Sequence, residues 1–436
     1  MRPMRVGLLG LGTVGRGTFQ VLRRNQDVIR RRAGRGIEIV KVGVRDVAKA
    51  RAAVGEQVAL TDRLQDLVRD PDIDIVVELI GGYEPARSLV LEALEHDKHV
   101  VTANKALLAL HGNEIFDAAR RMGTMVAFEA AVGGGIPIIK ALREGLTGNR
   151  IEWIAGIING TSNFILSRMR DTGAAFADAL QEAQRLGYAE ADPTLDIDGT
   201  DAAHKISILA AIAFGVPIRF DAAHVEGIAG LAAADIRYAE ELGYRIKLLG
   251  ITRIGPAGVQ LRVHPTLVPA QRLLANVEGA MNAVLVKGDA VGTTLYYGPG
   301  AGAEPTASAV VADLVDVTRM HTADPDDRVP HLAFQPDALV HPRWLAIDDV
   351  TTSYYFRLRV ADRPGVLADI ARILADHAIS IDALFQREPA EGENQANVIM
   401  LTHEALERDV NAALRRIEAL ETVLAPVIRI RQESLA

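Results

Sequence analysis

Through the first third of the chain, short apolar runs alternate with stretches of helical periodicity. The runs are "RVGLLG" at 5–10, "IEIVKVGV" at 37–44, "IDIVVELI" at 73–80, "HVVTA" at 99–103 and "MVAFEAAV" at 125–132. Strands that are apolar throughout and separated by helices predict a parallel, doubly wound α/β sheet, because both faces of such a sheet are covered. The middle third changes character. It carries helical stretches ("AFADALQEAQRLG", "DAAHKISILAAIAFG") and then strand-like runs ("RIKLLGITRI", "GVQLRVHPTLV"), which predict a second α/β domain with its own sheet. The segment 302–319, "GAEPTASAVVADLVDVTR", reads as a helix that returns to the first domain. Between 321 and 349 proline and aspartate accumulate and periodicity fails, the composition of a linker. The remainder reads strand, helix, strand, strand, helix, strand, the ferredoxin-like βαββαβ order. The predicted boundaries are a Rossmann-type doubly wound domain at 1–135 completed by about 302–325, a second domain at 136–301, a linker at 326–350 and a third unit at 351–436.

Composition narrows the classes. A chain of 436 residues exceeds what one hydrophobic core usually supports, and 49% hydrophobic with 24% charged residues is ordinary for a globular protein. The formal net charge of -8 argues against nucleic acid as a partner. Six arginines crowd Arg23 to Arg35, a stretch that reads as a solvated helix end and receives no function. The absence of cysteine removes disulfides, thiolate metal sites and cysteine nucleophiles together. The start "MRPMRVGLLG" leaves no room for a signal peptide, and the longest apolar run, at 206–218, is too short for a membrane span. A cytoplasmic location without membrane contact is therefore expected.

Within "GLGTVG", Gly10, Gly12 and Gly15 form a G-x-G-x-x-G turn after the first strand, with Thr13 and Val14 opening the following helix. Such a turn brings backbone N–H groups and a helix N-terminus to a pyrophosphate, which predicts a dinucleotide cofactor. At the end of the second strand Arg45 stands where an acidic residue would select NAD, and Lys49 follows one helical turn later. That pair suits a 2′-phosphate, so NADP is expected with NAD possible; the other reading is a surface Arg-Asp pair with Asp46. Lys105, after "VVTAN", falls at the carboxyl edge of a strand, where it could meet the nicotinamide or a substrate carboxylate, or simply start a helix.

The densest charge lies in "DPTLDIDGTDAAHK" at 192–205. As a calcium loop it fails, because Lys205 would occupy the position that needs a bidentate glutamate. As a helix start, Thr200 can cap "DAAHKISILAAIA", with Asp201 in the first turn and Lys205 four residues on, along the same face. The helix beyond is apolar on every side, so that pair is expected beside a core or cleft, and Tyr188, Glu190 and Asp192 just upstream add to the cluster. Asp198 receives no role.

The stretch "AQRLGYAEADPTLDIDGTDAAHK" at 183–205 resembles the long signature of the homoserine dehydrogenases. "GLGTVG", "VTANKALLA", "EAAVGGGIPII", "GIINGTSNFIL" and "GPGAGAEPTASAVVAD" extend the resemblance over nearly the whole chain, and "DRPGVLADIARIL" resembles an ACT regulatory domain. The resemblance implies NAD(P)-linked, reversible interconversion of L-homoserine and L-aspartate 4-semialdehyde, on the route to threonine, methionine and isoleucine. It assigns catalysis to Lys205 and Asp201, and substrate binding to Glu190, Asp196, Tyr188, Gly160, Thr161 and Lys105. Cofactor contacts would come from Gly10, Gly12, Thr13, Val14, Gly15, Arg45, Lys105, Gly302 and Glu304. A monovalent cation, Na or K, would sit on Glu129 and the carbonyls of Val132, Gly134 and Ile136. The second domain would serve catalysis and dimerisation, in a homodimer or homotetramer, and threonine would act as feedback inhibitor at the ACT unit. Ala378, before "ISI", departs from the polar residue expected to contact such an effector.

Overall fold

The computed structural model describes residues 2–386 and 394–435; residues 387–393 of the expected third unit lie outside the described residues. Contacts divide the chain into two compact units that interleave in sequence. One comprises Met1–Gly160, Asp201–Asp221 and Met281–Pro342, the other Thr161–Thr200, Ala222–Ala280 and Arg343–Ala436.

In the first unit, β1 (Met4–Leu9), β2 (Ile37–Gly43), β3 (Ala59–Thr61), β4 (Ile75–Glu78), β5 (His99–Thr102) and β6 (Val126–Ala127) form one sheet in the order β3-β2-β1-β4-β5-β6. Every pairing is parallel. This is the doubly wound arrangement that the uninterrupted apolar runs predict, with the order reversing between β1 and β4. All residues of β4 and β5 are buried, as strands covered on both faces must be. The run at 125–132 forms a much shorter strand than its hydrophobicity suggests. After Ala127 the chain turns into a 3-10 segment, Glu129–Ala131, and Gly133 and Gly134 take left-handed φ of 77° and 56° that lead it away from the sheet. The buried Glu129 carboxylate, which accepts the amides of Ile139 and Lys140, fixes that departure.

The helix Ala303–Met320 packs on the helix Thr13–Arg24 that follows β1. A Cβ at Gly17 would stand 2.4 Å from the Ala303 carbonyl oxygen, so the two backbones meet closely. Below that point Val21, Leu22, Ala307, Val310, Val311 and Leu314 share one core with β1 and β2. The first unit also contains three antiparallel strands, Ile151–Ile157, Met281–Gly288 and Gly292–Pro299. From Asp201 onward the helix Thr200–Phe214 belongs here too, and it is buried over that length.

In the second unit the strands Tyr244–Gly255 and Gly258–Pro269 form an antiparallel hairpin. The C-terminal segment has the βαββαβ order: Thr351–Ala361, Val366–Asp376, Ile381–Gln386, Gln395–Thr402, Glu407–Glu418 and Ile428–Gln432. Alternate residues Tyr354, Phe356, Leu358 and Val360 meet Val366, Ile370 and Leu374 of one helix and Val410, Ala413 and Ile417 of the other. Periods of two and of three to four thus close one core. Its last strand adds in parallel to the hairpin, Thr266 opposite Arg431 and Leu267 opposite Gln432. Among the described residues no helix is long and apolar enough to cross a membrane.

Candidate active site

Gly10 takes φ 94°, and a Cβ on Gly15 would lie 2.3 Å from the Gly10 carbonyl oxygen. The turn therefore needs both glycines, one for its dihedral and one for the close approach. Gly12 caps the helix Thr13–Arg24 without a side-chain hydrogen bond, and nothing lies within 4 Å of where its Cβ would be. A helix start that is open, exposed and uncapped fits a pyrophosphate, whose oxygens would take the first amides. Next to it, at the sheet's reversal point, buried Glu78 accepts the Thr102 hydroxyl at 2.7 Å and the amides of Ile80 and Gly81 at 2.9 and 3.0 Å. Arg45 is exposed beyond β2, whereas Asp46 is occupied as an N-cap, accepting the Lys49 amide at 2.9 Å. The Asp46 side chain serves the helix it begins.

The Asp201 carboxylate is the hub of the second cluster. Its Oδ2 accepts from Lys205 Nζ at 2.6 Å and from Asn159 Nδ2 at 2.8 Å, and Lys105 Nζ stands 3.3 Å from Oδ1. Lys205 also donates to the Ile158 carbonyl oxygen at 2.7 Å. Both members of the Lys205–Asp201 pair are buried, with side-chain exposures of 11% and 9%. Burial by itself would push the Asp201 carboxyl up. The charges of Lys205 and Lys105, with the hydrogen bonds from Lys205 and Asn159, outweigh it and hold the carboxyl well below the usual range. The result is an ionised carboxylate that orients a buried lysine, the arrangement of a proton-transfer site.

Three elements build this cluster. Lys205 and Asp201 come from one helix face, Asn159 from the end of the strand Ile151–Ile157, and Lys105 from the first turn of the helix Lys105–Arg121. The cap of the Asp201 helix differs from expectation. Gly199 takes φ 89° and the Asp198 Oδ1 accepts the Thr200 amide at 2.8 Å, so the side chain that begins the helix is Asp198 and not Thr200. Asn159 sits within "NGTSN", where nothing local marks it as a partner of a residue 42 positions away. Asn104, beside Lys105, accepts the Leu107 amide and donates to the Gly82 carbonyl oxygen, fixing the turn that starts the lysine's helix.

Glu190, Asp196, Tyr188 and Thr161 belong to the second unit. Thr161 donates to the Tyr188 carbonyl oxygen at 2.7 Å, Tyr188 packs on Phe164 with ring centroids 4.7 Å apart, and Ser162 donates to the Asp196 carbonyl oxygen at 2.6 Å. The loop bearing Asp196 is thus tied to the start of the helix Gly160–Thr172. Asp192 closes its own turn by accepting from Thr194.

Gly302 caps the helix Ala303–Met320 with φ 122°, while Glu304 makes a paired salt bridge to Arg24 at 2.7 and 3.0 Å. One of the six crowded arginines thereby receives a partner. Around Glu129, burial pushes the carboxyl up to about 7 despite two backbone donors, and burial with the Glu129 charge pushes Asp313 up to about 8. Among the described residues no cluster of three or more His, Asp or Glu is arranged for a metal. The Glu129 carboxylate and the Val132, Gly134 and Ile136 carbonyls that follow it in the chain are oxygen donors, the kind of group a hard cation takes.

Three family models match the chain: homoserine dehydrogenase over residues 137–315, homoserine dehydrogenase NAD binding domain over 10–129, and ACT domain over 354–422. Homoserine dehydrogenase of Pseudomonas aeruginosa is 58% identical over 435 residues, covering 100% of both chains. The crystal structure of a homoserine dehydrogenase from Thiobacillus denitrificans superposes with a TM-score of 0.96 at 67% identity, covering 100% of this chain and 99% of that one. The chain belongs to the homoserine dehydrogenase family. A hyperthermophilic archaeal homoserine dehydrogenase in complex with NADPH is also similar, at 27% identity and a TM-score of 0.62 over 73% of this chain and 98% of that one.

As a homoserine dehydrogenase, the chain is an NAD(P)-dependent oxidoreductase acting on a CH–OH group, interconverting L-homoserine and L-aspartate 4-semialdehyde. Its doubly wound sheet is the nicotinamide-cofactor domain of homoserine dehydrogenase, and its C-terminal βαββαβ unit is an ACT regulatory domain.

Proposed function

We propose that Lys205 is the proton donor to the aldehyde oxygen during reduction and the acceptor of the homoserine hydroxyl proton during oxidation. The observation that carries this is the buried Lys205–Asp201 pair with Lys105 and Asn159 converging on the same carboxylate. A bound nicotinamide cofactor supplies or takes the hydride. As charge builds on the substrate oxygen, a proton placed at Lys205 Nζ lowers the barrier, an effect worth about 10²- to 10⁴-fold for a positioned acid. Asp201 holds the ammonium in place through Oδ2. Lys105 shares that carboxylate and adds positive charge on the substrate and nicotinamide side. Glu190 and Asp196, with Tyr188, are assigned to the substrate's ammonium group, and Gly160 and Thr161 to its carboxylate through a helix start.

The open turn formed by Gly10, Gly12, Thr13, Val14 and Gly15 would hold the pyrophosphate, with Gly302 and Glu304 completing the cofactor site. Arg45, whose neighbour Asp46 is engaged as a cap, favours NADP over NAD. Glu129 with the carbonyls of Val132, Gly134 and Ile136 is assigned to Na or K, and the ACT domain to threonine. A homodimer or homotetramer in the cytoplasm completes the reading.

With NADP and L-homoserine, purified protein is expected to generate NADPH absorbance. Lys205→Ala should lose at least about a hundredfold in turnover while retaining NADPH binding by fluorescence; full turnover in that variant overturns the assignment. Arg45→Ala should reduce the NADP-to-NAD preference about tenfold or more, the worth of a charge-assisted phosphate contact. Threonine titration of the same assay tests the regulatory assignment.

A further inference from the structure

The last strand of the ACT domain delivers two arginines to one glutamate of the second unit. Arg431, 1% exposed, donates to Glu226 Oε2 at 2.9 Å and Oε1 at 3.0 Å, and Arg429 reaches Oε1 at 3.4 Å. His224 Nε2 lies 2.8 Å from the same oxygen. Arg431 is shared with buried Glu407, to which it donates at 2.8 and 2.6 Å, and Glu407 in turn accepts the Tyr354 hydroxyl at 2.7 Å. These charge-assisted bonds hold Glu226 through both carboxylate oxygens.

The segment following Glu226 is the bed of the loop that bears Asp196. Ile228 donates its amide to the Ile197 carbonyl oxygen at 2.8 Å. Gly227 lies so close that a Cβ there would meet the Ile197 oxygen at 2.2 Å and Asp198 Cα at 2.6 Å. A Cβ on Gly199 would meet Val225 at 3.1 Å and Val263 at 3.2 Å. Residues 225–228 therefore touch the loop directly at three consecutive positions, while the Glu226 side chain is clamped by the ACT strand Ile428–Gln432.

We propose that Glu226 is a positioning residue for homoserine binding: Arg431 and Arg429 fix 225–228, and that segment sets where the 192–199 loop presents Asp196. This rests on the assignment of Asp196 to the substrate. The ACT domain thereby contributes to the substrate loop through its own last strand, and any displacement of that strand reaches Asp196 through Glu226. Arg431 keeps both hydrogen bonds to Glu407 when Glu226 is changed, so its charge stays partnered.

The test is steady-state kinetics of Glu226→Ala, Glu226→Gln, Asp196→Asn and the double variant Glu226→Ala/Asp196→Asn, with melting temperatures measured alongside. Glu226→Ala is expected to raise KM for L-homoserine about tenfold, leaving kcat within about threefold and KM for NADP unchanged, the pattern of lost ground-state binding. Glu226→Gln, whose amide oxygen still accepts from Arg431, should recover most of that KM and stands in if the alanine variant does not fold. The double variant should have a KM no higher than Asp196→Asn alone, because both act at one point. If Asp196→Asn raises KM and neither Glu226 variant does, the positioning role is wrong and the substrate assignment stands. If Asp196→Asn leaves KM unchanged, the assignment of Asp196 falls and the inference with it. A proportional loss of kcat, of both KM values and of melting temperature shows a merely structural glutamate and also overturns it.

Discussion

Asp201→Asn removes the carboxylate that Lys205 and Lys105 share while preserving its outline. The amide oxygen can still accept from Lys205 and Asn159, but the negative charge is gone and the NH2 group, in the place of Oδ1, faces the Lys105 ammonium, donor against donor. Breaking a buried ion pair by removing one partner costs about 3–5 kcal/mol. Lys105 is 41% exposed, so water screens most of its share; the loss concentrates on Lys205, 11% exposed, and falls at about 3 kcal/mol. If that interaction is realised in the transition state, turnover drops about a hundredfold. The assay is initial-rate homoserine oxidation at saturating NADP, with NADPH fluorescence titration as the control for an intact cofactor site. Turnover within about threefold of the parent enzyme, with normal cofactor binding, would refute the view that Asp201 organises the proton donor.

Other outcomes follow from the same geometry. Asp198→Ala removes the side chain that caps the Asp201 helix, and should cost about 1 kcal/mol of stability, read as a lower melting temperature, with kcat/KM reduced about fivefold; an unchanged melting curve would contradict the capping role. His99 accepts the Met125 amide and His331 the Val126 amide, at the start of β6. Burial, reinforced by His321 and Arg328 for the first and by Arg143 and Arg328 for the second, lowers them from 6.5 to about 4 and about 3. With folded values below unfolded ones, the unfolded chain binds more protons, so this stability is present above about pH 6.5 and is lost as pH falls toward 4. Melting temperatures from pH 7.5 to 4.5 should show that decline, and His331→Gln should flatten it; an identical slope in the variant would exclude the mechanism. Ala378 holds φ 57° just after the helix Val366–Asp376, a left-handed conformation that disfavours a side chain. Ala378→Gly should raise ACT-domain stability by about 0.5 kcal/mol, relief of strain offset in part by unfolded-chain entropy, and an unchanged or lower melting temperature would speak against strain there.

What could be read from the sequence was what lies close along the chain. The turn Gly10–Gly15 is readable because strand, glycines and helix are consecutive and each glycine answers a steric demand. Asp201 and Lys205 are readable because four residues is one helical turn, and their burial follows from the apolar helix around them. The periods of the ACT domain foretold its order of elements for the same reason. Asn159 and Lys105 were a different matter: each is ordinary in its own segment, and only the meeting of three chain elements makes them partners of Asp201. Hydrophobicity overstated β6 because it cannot register that the buried Glu129 carboxylate turns the backbone out of the sheet. The choice of Asp198 over Thr200 as the cap depended on Gly199 adopting a left-handed φ, which reverses which side chain reaches the first free amide. Least legible was the parallel addition of Ile428–Gln432 to the hairpin, with Arg431 between Glu226 and Glu407. Periodicity records which faces must be buried, and so the sequence determined the elements, the phosphate turn and the acid-base pair. Which buried charge meets which is settled by desolvation and hydrogen-bond geometry among residues up to 205 positions apart, and that only the tertiary structure decided.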